Sequence, residues 1–178
     1  KYNCPAIIYV TTGFLDNYNT AWWLKVWDII LNCEEIYFDK KKINLNNIVE
    51  KKRAYFFFKN KFHNMNIREI NKSIDKINHG KIIHDHNNKD DFISLNDLKK
   101  LNLDKLIDIG CHTHMHQNLK ILSQSELYNE ISISKNILEE SLNKKIKHFS
   151  IPFGTKKTYS SEVIKTLNKF GFETIATT

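Results

Sequence analysis

The last third of the chain alternates strand and helix signals with turns between them, and this order constrains the fold more than any other feature. Leu106-Ile107-Asp108-Ile109-Gly110-Cys111 reads as a strand. Ser123-Gln124-Ser125-Glu126 is a capping box, in which the Ser side chain caps the third helical amide and the Glu reaches back. Leu127, Ile131, Leu138 and Leu142 then repeat along one face of a long helix. His148 to Pro152 reads as a second strand, residues 160–170 as a helix, and Phe172 to Ala176 as a third strand. Gly171 stands where a helix C′ residue takes positive φ. Strand, helix, strand, helix, strand is the grammar of an α/β fold with a parallel sheet. Near the start, Ala6-Ile7-Ile8-Tyr9-Val10 is short and β-branched without alternation, which predicts a further, fully buried strand ended by Thr11-Thr12-Gly13.

The middle is less regular. Trp23, Val26, Trp27, Ile30 and Leu31 fall on one face of a helix spanning about Thr20 to Cys33; the stripe suits core packing, with sugar stacking as the sharper alternative. Asn44–Phe62 and Ile67–Ile77 look helical, and Tyr55-Phe56-Phe57-Phe58 is apolar all round, which predicts a buried or packed helix. His79 to Asp91 is polar and reads as a loop, and Ser94 caps a short helix over 95–102. The 178 residues, 41% of them hydrophobic, suffice for one core, so a single domain over 1–178 is expected.

Composition narrows the function. The net charge is +7, yet of 27 basic residues only Arg53 and Arg68 are arginines, and the lysines are dispersed. Nucleic-acid recognition favours arginine forks and clustered charge, so a nucleic-acid partner is not expected. No apolar run approaches the roughly 18 residues of a membrane helix. Cys4, Cys33 and Cys111 show no CxxC pairing and read as small, largely buried thiols.

In parallel α/β folds, functional groups collect on loops after the C-terminal ends of strands. The loop after Cys111 reads His112-Thr113-His114-Met115-His116. If it forms one helical turn, His112 and His116 point the same way, and two imidazoles suit a divalent metal such as Zn²⁺; His114 points elsewhere. A catalytic zinc usually takes three protein ligands, so the pair alone does not complete a site. The loop after Ile151 reads Pro152-Phe153-Gly154-Thr155, a turn whose amides can face a developing oxyanion if a metal lies beside it. Three other groups stay open: His84-Asp85-His86 with Asp90 and Asp91 as a metal site or a solvated loop, Asp16 as a residue approaching the site, and Asp108 as an orienting partner or a strand-start residue.

Ile109 to Leu119 resembles the second motif of the polysaccharide deacetylases (the NodB-homology, or carbohydrate esterase family 4, group), typically I-G-S-H-T-x-x-H-P-x-L. His148 to Gly154 and Gly171 to Thr178 resemble the family in order and spacing, as do Cys4 to Val10 with Trp22-Trp23, and Ile93 to Leu98, whereas residues 34–91 hardly match it and read against the resemblance as a helical insertion. The resemblance implies a distorted (β/α) barrel, incomplete in this chain, and a metal-dependent hydrolase removing N-acetyl groups from a sugar of a surface polysaccharide or its precursor. It implies His112 and His116 as metal ligands, the Phe153 backbone N–H at the oxyanion, and Pro152, Phe153 and Gly154 at the substrate. Zinc is the expected metal, with cobalt, manganese or nickel as others, and an N-acetylated carbohydrate the expected partner. The family's Asp-bearing first motif belongs ahead of Ala6 and its general-acid His after Thr178, so the base, the third ligand and the acid are expected outside this chain. No Arg precedes Pro152-Phe153-Gly154, where many members of the family carry one, and Gln117 replaces the usual Pro. The chain therefore reads as an internal piece of a larger enzyme, or as a catalytically incomplete carbohydrate-binding scaffold. Lys1 is not expected to be the translation start. Cytoplasm and bacterial cell envelope both stay open, as does the oligomeric state.

Overall fold

The computed structural model describes residues 3–15, 21–78 and 92–178. They fall into two compact units, one built from the N-terminal segment with residues 92–178 and the other from residues 21–78.

The first unit is a parallel α/β structure. Its strands are β1 (Ala6–Val10), β4 (Ile107–Cys111), β5 (His148–Ser150) and β6 (Thr174–Ala176), hydrogen-bonded in the order β1-β4-β5-β6. All three pairings are parallel, and Val10 stands level with Cys111. Helices α4 (Leu95–Leu101), α5 (Gln124–Leu142) and α6 (Ser161–Lys169) occupy the connections. This is the α/β architecture with a parallel sheet read from the sequence, and it is consistent with an incomplete (β/α) barrel.

Local chemistry sets the helix starts. Ser94 accepts a hydrogen bond from Asp97 N, and Ser123 and Glu126 form the complete capping box expected of α5. Leu127, Ile131, Leu138 and Leu142 are buried along one face of α5 against Ile109, Cys111, Phe149 and Ile151 of the sheet region. Gly171 follows α6 with φ +76°. β1 departs from the expectation of full burial: Ala6 is exposed and Ile7 keeps 40% of its surface accessible. As an edge strand of the described sheet, it has a neighbour on one side only.

The second unit contains α1 (Trp22–Asn32), a hairpin of β2 (Glu35–Phe38) and β3 (Lys41–Asn44), α2 (Ile48–Phe62) and α3 (Ile67–Asn78). The hairpin replaces the start of the helix expected from Asn44. Asp39 and Lys40 both take positive φ, at 48° and 64°, which is the two-residue turn that matches strand twist. Three residues separate β3 from helix α2, and the last of them, Asn47, accepts hydrogen bonds from Val49 N and Glu50 N. The core is aromatic: Phe38 meets Phe58 edge to face with centroids 5.1 Å apart, and Trp22 meets Phe62 at 5.6 Å. The buried stripe of α1 is Trp22, Val26, Ile29 and Ile30, rotated from the expected Trp23-based face, and Leu31 is exposed. The four-aromatic run of α2 divides, with Phe58 buried while Phe56 and Phe57 remain 56% and 46% exposed. Among the described residues, no helix is long and apolar enough to cross a membrane.

The fully buried Leu138 should be a stability anchor of the first unit. Leu138→Ala is expected to cost about 2–5 kcal/mol in urea unfolding. Leu103→Ala, at a side chain 81% exposed, should stay within about 0.5 kcal/mol.

Candidate functional site

The loop after β4 brings His112 and His116 together, though not by a helical turn. Thr113 and His116 take left-handed backbone angles, φ 67° and 54°, and fold the loop back on itself. The two imidazole centroids come to 4.8 Å with the rings 72° apart. Left-handed non-glycine residues are costly and persist where surrounding contacts over-determine them. Here Thr113 is fully buried, and its hydroxyl accepts the His116 N–H at 3.0 Å.

The loop is held on one side by the turn Thr12–Phe14 that follows β1. Thr12 N donates to Thr113 O at 3.2 Å, Gly13 N to His114 O at 2.8 Å, and the Thr11 hydroxyl to His112 O at 3.1 Å. Gly13 permits this approach because a Cβ there would stand 2.4 Å from His114 O. Thr12 Oγ1 also lies 3.0 Å from His114 Nδ1, which directs that ring to the β1 turn. On the other side is α5. Glu130 Oε2 accepts His114 N at 3.1 Å and Met115 N at 2.8 Å, while Glu130 Oε1 accepts the Gln117 amide at 2.8 Å. Ser134 Oγ donates to Thr113 O at 3.0 Å. A hydroxyl has one proton to give, so the Cys111 thiol, 2.9 Å from Ser134 Oγ, is the donor in that contact. Burial pushes the Cys111 thiol up to about 11, which keeps its proton in place at neutral pH.

The electrostatics favour neutral imidazoles. Burial holds His112 below its ordinary value, against the opposing pull of the Ser150 carbonyl. Burial, followed by the neighbouring His112, lowers His116 to about 4. The His112 Nδ1 lies 2.7 Å from Ser150 O. A carbonyl oxygen only accepts, so Nδ1 carries the proton and the lone pair sits on Nε2. A ring tied this way to a backbone carbonyl has the tautomer and orientation of a metal ligand. The donor set therefore fits a zinc-type ion in kind, and it supplies two ligands. Among the described residues, no group of three or more His, Cys, Asp or Glu could hold a metal.

The second loop lies against the first. The Phe153 ring meets His116 edge-on at 4.9 Å, and the Phe14 ring stacks on His116 at 6.4 Å. Phe153 and Gly154 take successive left-handed conformations, φ 64° and 65°; Pro152 and Gly154 are buried and Phe153 is half-buried. Thr178 N donates to Gly154 O at 3.0 Å, packed so close that a Cβ on Gly154 would stand 2.8 Å from Thr178 N.

Asp108 lies at the other end of β4 from the histidines. Its carboxylate accepts Lys144 Nζ at 2.9 Å and Ile109 N at 2.8 Å, and lies 3.1 Å from His148 Nε2. Burial raises its pKa, but Lys144, the Ile109 amide and His148 outweigh burial and hold it below its ordinary value. It is a strand-start residue in an ion-pair network. Of the thiols, Cys111 is buried, Cys33 half-buried and Cys4 exposed, so the expectation of largely buried thiols holds for Cys111 alone. Asp16 and the His84-Asp85-His86 cluster with Asp90 and Asp91 lie outside the described residues. Sequence reasoning missed Glu130. Its signal was a carboxylate on the apolar face that carries Leu127, Ile131 and Ser134.

No curated protein matches the sequence. Solved structures similar to it include IcaB from Ammonifex degensii, 20% identical over 48% of this chain and 40% of that one, with a TM-score of 0.44. A Streptococcus pyogenes deacetylase, PplD, in complex with acetate is 19% identical over 66% of this chain and 51% of its own, with a TM-score of 0.45. A mutant of a CE4 family pseudoenzyme is 27% identical over 46% of this chain and 29% of its own, with a TM-score of 0.41. The chain thus spans about half or less of the length of these structures. The family model for polysaccharide deacetylase matches residues 1–175, nearly the whole sequence and both loops described above. The chain belongs to the polysaccharide deacetylase family.

Proposed function

We propose that the chain carries part of a metal-dependent site that removes N-acetyl groups from a carbohydrate, with His112 and His116 as two ligands of a divalent ion, zinc foremost. The observation that supports this most is the pair of apposed, neutral imidazoles, one of them oriented by the Ser150 carbonyl. When bound, the ion supplies Lewis acidity, lowering the pKa of its water from 15.7 toward about 7 and polarising the acetyl carbonyl. The chain's own residues hold and orient. His112 presents Nε2 because Nδ1 is committed to Ser150 O. The Pro152-Phe153-Gly154 turn, pressed against His116 through the Phe153 ring, belongs to the substrate side, with the Phe153 backbone N–H at the oxyanion. Base, acid and third ligand are not assigned to any described residue.

A second reading has one observation in its favour: no third metal-ligating side chain joins the pair among the described residues. In that reading the chain is a catalytically incomplete carbohydrate-binding scaffold of the same fold.

Zinc titration followed by calorimetry, with acetate release from N-acetylglucosamine oligomers, separates the readings. The wild type is expected to bind about one zinc and His112→Ala and His116→Ala to lose it, while acetate release is not expected of a chain to which no base or acid is assigned. Acetate release by the wild type overturns the scaffold. A folded wild type that takes up no zinc retires the metal reading.

The histidine pair also sets an acid sensitivity in the metal-free protein. Between about 4 and the ordinary 6.5, the unfolded chain takes up a proton at His116 that the folded chain refuses. Stability is therefore lost as pH falls through that window. On lowering the pH from about 7 to about 5, the wild type should lose about 2 kcal/mol more than His116→Gln in urea unfolding with chelator present. Equal losses would show that the folded chain protonates His116 freely.

A further inference from the structure

We propose that Glu130, with Gln117 as its partner, is the positioning residue of the histidine loop, a hydrogen-bonded brace on α5 that keeps His112 and His116 in ligand geometry. The proposal rests on the reading of that pair as a metal site. Glu130 is buried on the apolar face of α5. A carboxylate in that position is costly unless hydrogen bonds replace its water. The three hydrogen-bond donors that meet it come from His114, Met115 and Gln117, which lie between or beside the two histidines. Two of these donors are backbone amides that the left-handed bends at Thr113 and His116 have taken out of regular structure. The carboxylate thus does for this loop what a neighbouring strand does for an ordinary one.

Glu130 is not the missing base or ligand. Its two oxygens face these three loop donors, and it forms no metal-binding group with the histidines. Gln117 gives the brace a feature of its own. It stands where the resembling motif has Pro, a residue with no donor to offer, and here its amide closes the third hydrogen bond. Ser134, one turn further along α5, grips the loop at Thr113 O, so one helix face holds the loop at two points.

The test uses the full chain, with zinc as the probe, and reads amide hydrogen exchange across 112–118, zinc affinity and melting temperature. Glu130→Leu removes the acceptors. Exchange at His114 and Met115 should speed up by at least about tenfold, and zinc affinity should fall by about 10–100-fold, with protection elsewhere in α5 retained. Glu130→Gln keeps a carbonyl for the two backbone amides and gives an NH₂ to a turned-over Gln117, so it should stay within about threefold of wild type on both measures. A folded Glu130→Leu with wild-type exchange and affinity overturns the brace. So does a Glu130→Gln as damaging as Glu130→Leu, which would place the effect in the charge. If Glu130→Leu does not fold, Gln117→Ala decides: it should speed Met115 exchange and weaken zinc several-fold, and unchanged values overturn the proposal. If the wild type binds no zinc, the metal reading fails separately, and the exchange results alone decide whether the brace exists.

Discussion

A short loop can set two imidazoles edge to face only by giving up regular structure, and every polar backbone group it withdraws must be met elsewhere. That requirement organises the first unit. Thr113 and His116 bend the loop through left-handed angles, and the surroundings answer group by group. Thr12, Gly13 and Thr11 meet carbonyls, Glu130 of α5 meets the His114 and Met115 amides, and the Thr113 hydroxyl meets the His116 amide. Parallel pairing of β1 with β4, with Val10 level with Cys111, brings the β1 turn to the height of the histidines. The capping box and the buried leucine and isoleucine stripe set where α5 starts and which face it turns inward, and with that the height of Glu130 and Ser134. Strand order and helix capping are therefore part of the site as much as of the core.

How much of this could be read beforehand depended on how local each signal was. The capping box, the α5 stripe and the N-cap of α4 are set by neighbours in sequence, and they stood where expected. The histidine pair was legible from its spacing and its place after a strand. The bend that joins the pair was not, because left-handed threonine and histidine carry no compositional mark and are stabilised by residues about 100 and 20 positions away. Glu130 was visible as a carboxylate on an apolar face, but its partners are backbone amides, which a sequence does not display. The β2–β3 hairpin was hidden for another reason. Its turn is Asp39-Lys40, without the glycine that usually marks positive φ, and its alternation spans only Ile36 and Phe38 before the lysines begin.

The second unit shows the limits of an apolar stripe. Helix α1 is apolar around most of its circumference, so its sequence admits two inward faces one position apart. Tertiary contact selects the one that places Trp22 against Phe62. In α2 the same ambiguity resolves by register: Ala54, Phe58 and Phe62 share the buried face while Phe56 and Phe57 turn outward. Edge-to-face contacts among Phe38, Phe58, Phe62 and Trp22 then give this unit a core of its own.

The thiol at the end of β4 has a chemical consequence. The resembling motif carries serine there, and a cysteine beside a metal-type loop would ordinarily invite oxidation. With its pKa pushed up to about 11 by burial, Cys111 keeps its proton at neutral pH. Peroxide and alkylating reagents act on the thiolate, and the side chain is sealed from solvent. Cys111 can take the place of a hydroxyl next to the histidines and still leave the site redox-silent.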